Sequence, residues 1–251
     1  MDRITSAKNP LIQDMKALNQ RKGRVEQGRF LGEGEKMLRE ALSCGLTIRD
    51  VLTLEAHVRF ASTLDARVFV VPEGLLQSVC DTKSPQGICA SFDQPVPLPL
   101  ENAPDRVVAL DGLQDPGNLG TIWRTADAAG FGGLLLGAGC ADPLSPKVQR
   151  SAMGSGFRLP FMISEDLPRA LEGMKAAGWT VIAADLHGMS FYSRPDPGKR
   201  FVLVIGNEAR GISDATRLAA DMLLKLPMRG GAESLNAAVA AGIMMYELTK
   251  P

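Results

Sequence analysis

Short apolar runs alternate along this chain with stretches whose hydrophobic residues recur every three to four positions. In the C-terminal half, the runs Arg106–Leu110, Leu134–Leu136, Thr180–Ala184, Phe201–Ile205 and Met222–Leu226 are continuous rather than alternating, which predicts strands covered on both faces. Helical spacing separates them at Leu119–Ala129, Leu167–Ala177 and Ala232–Leu248. The expected fold is α/β, a parallel sheet with helices on both faces. The last of these helices is apolar almost all round: Ala237, Ala240, Ala241, Met244, Met245 and Leu248 line one side, and Ala238, Val239, Gly242 and Ile243 the other. A helix of this kind is covered on both sides, within its own fold or by a second subunit.

The N-terminal half repeats the pattern on a smaller scale. Helical spacing at Pro10–Gln20 and Glu35–Ser43 alternates with apolar runs at Val51–Leu54, Val68–Val71 and Ile88–Ser91, which describes a small α/β domain. Between Asp93 and Asp105, prolines at 95, 97, 99 and 104 remove backbone donors and fix φ, as suits an extended connector. The expected organisation is a small domain over 1–93, a link over 94–105 and a larger domain over 106–251.

Composition adds permission rather than direction. Of 251 residues 45% are hydrophobic, enough for a sizeable core, and 28 Lys and Arg balance 28 Asp and Glu, so no global positive field announces a polyanionic partner. RNA binding therefore requires local patches, and the strongest candidate holds Lys16, Arg21, Lys22, Arg24 and Arg29 against the single acid Glu26. An ordinary solvated face is the plain alternative. Cys44, Cys80, Cys89 and Cys140 are scattered without a C-x-x-C pair, and His57 and His187 have no ligand spacing to them, so reduced thiols and no metal site are expected. The polar start Met-Asp-Arg-Ile-Thr and the lack of a long apolar run make the cytoplasm the default location, with no membrane partner.

Three segments carry candidate chemistry. Leu110-Asp-Gly-Leu-Gln-Asp-Pro-Gly-Asn-Leu-Gly runs from a strand end through a turn into a helix, with Asn118 and Arg124 expected near the helix opening. An arginine fork there grips a phosphate or carboxylate, although a surface arginine beside an ordinary turn accounts for it equally. Ile205-Gly-Asn-Glu-Ala-Arg-Gly is again a strand ending in a glycine-bracketed loop, where Glu208 and Arg210 are either functional or a surface ion pair. Leu226-Pro-Met-Arg-Gly-Gly-Ala-Glu-Ser-Leu-Asn breaks a strand at Pro227 and enters the last helix. Ser234 suits a helix cap, whereas Asn236, expected inside the first turn, requires a buried partner or a ligand. The Gly137-Ala-Gly-Cys-Ala-Asp loop imitates a nicotinamide or flavin site, but Asp142 and Pro143 stand where a third glycine and a helix start belong.

As an ordered set, Asn118-x-Gly120-x-x-x-Arg124, Gly206-Asn207-Glu208 with Gly211, and Leu226-Pro227-Met228 with Ser234-Leu235-Asn236 closely resemble the motifs of the SpoU (TrmH-like) RNA 2′-O-ribose methyltransferases of the SPOUT superfamily. The stretch Ser145–Gly156 resembles a further family segment. Gly32-Glu-Gly-Glu35 and Asp81-Thr-Lys-Ser-Pro-Gln-Gly-Ile88 resemble the small RNA-binding domain that precedes the catalytic one in many members.

The resemblance implies a catalytic domain with a C-terminal trefoil knot, S-adenosyl-L-methionine as methyl donor and a homodimer whose interface brings RNA and cofactor together. It places Gly206, Leu226, Leu235, Pro227 and Met228 at the cofactor and makes Arg124, Glu208, Ser234, Asn236 and Asn118 the catalytic group. A guanidinium is a poor proton acceptor, so Arg124 is read as a phosphate binder that stabilises the developing alkoxide, with the other polar groups orienting its surroundings. The two-part layout favours ribosomal over transfer RNA by analogy. A catalytically silent RNA-binding assembly factor on the same fold is the alternative.

Overall fold

A computed structural model describes residues 2–80, 82 and 84–250. The Asp81–Ile88 motif therefore lies partly outside the described residues, at Asp81 and Lys83. The chain forms two compact units: one holds the chain up to Val96 together with Asp142–Phe157, the other Pro97–Ala141 and the chain from Arg158 onward. A single boundary in the proline-rich stretch does not anticipate the return of 142–157 to the first unit.

In the first unit, strands β1 (Asp2–Arg3), β2 (Arg29–Glu33), β3 (Ile48–Thr53), β4 (Arg67–Val70) and β5 (Ile88–Asp93) form a mixed sheet in the order β1-β4-β3-β5-β2. Helices α1 (Pro10–Ala17), α2 (Arg21–Gln27), α3 (Glu35–Ser43), α4 (Val58–Ala61) and α5 (Glu73–Cys80) accompany it. Ile12, Met15, Leu18, Leu52, Leu76 and Val79 make up much of its core. Cys80 and Cys89 meet inside it, where the hydrogen bond that the Cys89 thiol makes to Cys80 and burial push the Cys89 thiol well up.

The basic stretch is not one solvated face. Arg24 is 3% exposed, and its guanidinium donates to the carbonyls of Leu18 (2.7 Å) and Asn19 (3.0 Å) and to the Asp142 carboxylate (2.5 Å). Arg29 donates to buried Asp50 at 3.1 Å. A buried guanidinium whose two terminal nitrogens are both engaged is a structural tie, so Arg24 is withdrawn from the surface candidates, whereas Arg21 and Lys22 stay exposed.

The second unit is built on β6 (Arg106–Asp111), β7 (Gly133–Gly137), β8 (Phe161–Ser164), β9 (Thr180–Ser190), β10 (Phe201–Gly206) and β11 (Met222–Lys225), all parallel, in the order β11-β9-β10-β6-β7-β8. Helices α6 (Pro116–Ala128), α9 (Leu167–Ala176), α10 (Asp214–Ala219) and α11 (Ala237–Leu248) connect or follow these strands. Between β7 and β8 the chain also forms α7 (Pro146–Ala152) and α8 (Ser155–Arg158). Val107, Ala109, Leu135, Val181, Val202 and Val204 are buried on the sheet, as continuous apolar strands in a doubly covered sheet must be.

Several helices start on the same chemistry. Asn9, Asp115 and Ser145 each accept a backbone N–H with the side chain and are each followed by proline, whose missing donor and fixed φ suit the first helical position. Among the described residues no helix is long and apolar enough to cross a membrane.

Candidate active site

The chain leaves β6 toward β7 and leaves β10 toward β11, on opposite sides, although β6 and β10 are neighbours. Such a switch point opens a crevice beyond the carboxyl ends of the strands. Gly206 pairs with Asp111, so the loops after both strands begin at the same level and can touch. At Gly206 a side chain would not fit: a Cβ there would fall 2.2 Å from the Gly211 carbonyl carbon. Asn207 and Gly211 exchange backbone hydrogen bonds of 2.9 Å, closing a tight loop that turns Glu208 outward.

Glu208 then faces the start of α6. Its carboxylate accepts from the backbone N–H of Gln114 (3.2 Å) and Asp115 (3.0 Å) and from the Asn118 amide (3.1 Å). The Asn118 Oδ1 in turn accepts from the Asn236 amide at 2.9 Å. One polar chain thus joins the loop after β10, the start of α6 and the start of α11. Burial raises the Glu208 pKa, but the hydrogen bonds led by Asn118 outweigh it and hold the carboxyl below the ordinary glutamate value. Glu208 is therefore an ionised positioning residue that fastens loops together, with little tendency to take up a proton at neutral pH.

The helix entries differ from expectation in two places. Asn236 is the cap of α11 rather than a residue of its first turn: its Oδ1 accepts from Ala238 N (2.9 Å) and Val239 N (3.3 Å). Ser234 precedes the cap in an exposed loop, because helix does not begin until Ala237, after Gly230 and Gly231. Arg124 stands eight residues past the Pro116 that opens α6, about 12 Å along the axis, exposed and beyond the influence of the helix opening.

Behind the polar chain lies a cleft of about 400 Å³, within the size range of small-molecule sites. Gly206, Glu208, Leu226, Met228, Ser234 and Leu235 line it, whereas Asn118, Asn236, Pro227 and Arg124 stand outside the lining. Its walls are apolar at Ile205, Ile212, Leu226, Leu235 and Met244, suited to a flat heterocycle, with polar groups concentrated at the strand ends. A nucleoside-bearing cofactor fits this donor set and size.

Sequence reasoning missed one wall. β9 pairs with β11 through Ile182 and Ala183, then resumes only at Met189 and Ser190, so residues 184–188 bulge out of the ladder and carry Asp185, Leu186 and His187 into the cleft. Gly188 permits the close return, since a Cβ there would lie 2.3 Å from the Leu223 backbone. Among the described residues no group of three or more His, Cys, Asp or Glu is placed to hold a metal ion.

The sequence matches the SpoU rRNA Methylase family over residues 105–246 and the MRM3-like substrate binding domain over residues 9–90. The chain belongs to the SpoU family. It is 38% identical to the 23S rRNA (guanosine(2553)-2′-O)-methyltransferase RlmP of Bacillus subtilis (strain 168), over 99% of both chains. It is 31% identical to the 23S rRNA (uridine(2479)-2′-O)-methyltransferase of Streptomyces viridochromogenes, over 99% of this chain and 92% of that protein. The crystal structure of the AdoMet-bound rRNA methyltransferase from Sinorhizobium meliloti superposes with a TM-score of 0.88 at 35% identity, over 98% of this chain and 97% of that one.

Proposed function

We propose that this protein transfers a methyl group from S-adenosylmethionine to a ribose 2′-hydroxyl of ribosomal RNA. The observation that carries the reading is the Glu208–Asn118–Asn236 chain, which draws the three family motifs together at the mouth of a nucleoside-sized cleft. The two curated relatives are named for a guanosine and a uridine, so what they share is the ribose hydroxyl rather than the base. A 2′-hydroxyl nucleophile selects RNA over DNA by its chemistry.

The cofactor, when bound, supplies a methyl group already activated by a sulfonium centre. The remaining work is alignment of the attacking oxygen and stabilisation of the charge it develops. Ile205, Leu226 and Leu235 hold the heterocycle, and the Gly206 loop brings backbone close to it. Exposed Arg124 binds an RNA phosphate and stabilises the alkoxide, a role that a permanent cation with donors alone performs well. Glu208, Asn118 and Asn236 keep the motif loops in register, and Ser234 borders the cleft where the hydroxyl arrives.

The reading extends to assembly, topology and location. On α11, Ala238, Ala241, Met244 and Met245 are buried, while Val239 (51%), Ile243 (36%) and Tyr246 (53%) form an exposed stripe spaced four and three residues apart. A second copy of the chain covers that stripe in a homodimer. The C-terminal segment is threaded as a trefoil knot, a reading supported by its course from β11 at one sheet edge back to α11 packed on α6. The protein works in the cytoplasm, where its ribosomal RNA substrate is found.

The test is transfer of labelled methyl from S-adenosylmethionine to ribosomal RNA by the purified protein, with nuclease mapping of the product. A 2′-O-methylated nucleotide is expected. Methylation of a base, or no transfer to any ribosomal RNA, overturns the reading.

A further inference from the structure

Three carboxylates line the cleft, and they differ in what they already hold. Glu208 is committed to Gln114, Asp115 and Asn118. Glu233 sits in the exposed loop before α11. Asp185 alone is nearly buried, its side chain 3% exposed, at the carboxyl end of the regular part of β9 and next to the strand that ends in Gly206.

Its position is fixed from both sides. Oδ1 accepts the backbone N–H of His187 at 2.7 Å, and Oδ2 accepts Arg217 Nε at 2.7 Å. Arg217 is itself held by Asp214, through Nη1 at 2.7 Å. Burial pushes the Asp185 pKa up, but the His187 N–H and the Arg217 guanidinium more than offset it, so the group stays ionised. A carboxylate has about four lone-pair sites, of which these contacts use two. In open parallel sheets, an acid just after a strand is well placed to receive ribose hydroxyls, because a diol offers two donors to one rigid acceptor.

We propose that Asp185, carried into the cleft by the 184–188 bulge and fixed by Arg217, accepts hydrogen bonds from the ribose hydroxyls of the cofactor's adenosine. This assignment rests on the cofactor reading above. It makes Asp185 a cofactor-binding residue outside the three motifs and Arg217 the positioning residue behind it. Loss of a hydrogen bond to an ionised group weakens binding by about tenfold or more.

Calorimetric titration of the purified protein with S-adenosylhomocysteine, its 2′-deoxyribose analogue and methylthioadenosine tests the proposal without turnover. Wild-type protein is expected to prefer the ribose ligand to the deoxy analogue by about tenfold. Asp185→Asn is expected to abolish that preference and to weaken methylthioadenosine, which lacks the amino-acid moiety, as much as S-adenosylhomocysteine. Arg217→Gln, which leaves the carboxylate in place, is expected to weaken all three ligands slightly while keeping the preference. Equal weakening of ribose and deoxy ligands by Asp185→Asn, with a lowered melting temperature, overturns the proposal in favour of a bracing role. Weakening of S-adenosylhomocysteine with methylthioadenosine unchanged overturns it by placing the carboxylate at the ammonium group. If wild-type protein binds none of the ligands, the cofactor reading falls and this assignment with it.

Discussion

Two arginines show how one residue type takes opposite duties at the residue scale. Arg124 is exposed on α6, and its proposed work is done only when RNA is present. Arg124→Ala is therefore expected to lower the methyl-transfer rate by about 10²- to 10³-fold, as for loss of one preorganised oxyanion donor, with the melting temperature unchanged. A rate near wild type in the radiolabel assay would remove Arg124 from the catalytic group. Arg24 is buried among two carbonyls and the Asp142 carboxylate, so Arg24→Ala leaves that carboxylate without its cation and is expected to destabilise the protein by about 3 kcal/mol in urea unfolding. The surface question then falls to Arg21 and Lys22. Reversing both charges is expected to weaken RNA binding and flatten its dependence on salt.

At the scale of elements, the loops are set by where helices begin. Asn236 does two things with one amide: its oxygen caps α11 and its NH₂ reaches Asn118. Asn236→Asp keeps the capping oxygen and loses the donor, so it is expected to retain stability while slowing methyl transfer. Asn236→Ala loses both and should also cost about 1 kcal/mol of stability. Paired melting curves and transfer rates separate the two effects. Glu208 ties the same elements as an anion, with its folded-state pKa below the ordinary 4.5. Its contribution to stability is thus complete above that value and fades as pH falls through the lower folded-state value. The stability gap between wild type and Glu208→Gln, measured by urea unfolding, is expected to be constant from pH 7 to about 6 and to narrow on further acidification.

At the scale of the whole molecule, the apolar stripe of Val239, Ile243 and Tyr246 stays exposed among the described residues. Ile243→Asp is expected to shift sedimentation from dimer to monomer, and a wild-type protein that sediments as a monomer would remove the dimer proposal. What the sequence by itself determined was the set of local choices. Continuous apolar runs announced β6, β7, β9, β10 and β11, because a parallel strand is buried on both faces, and cap-plus-proline pairs such as Asp115-Pro116 started helices. The short helix α10 over Asp214–Ala219 was not legible, since six residues complete fewer than two helical turns. The motif residues around the cleft could be named in advance because the three segments, taken as an ordered set, resemble the motifs of the SpoU family. Only tertiary structure decided that Arg24 is buried, since its partner Asp142 lies 118 positions away. It also decided that Asn236 caps α11 and that Asp185 reaches the cleft. That last placement depends on where β9 leaves and rejoins its pairing with β11, a relation between strands that neither strand's residues contain.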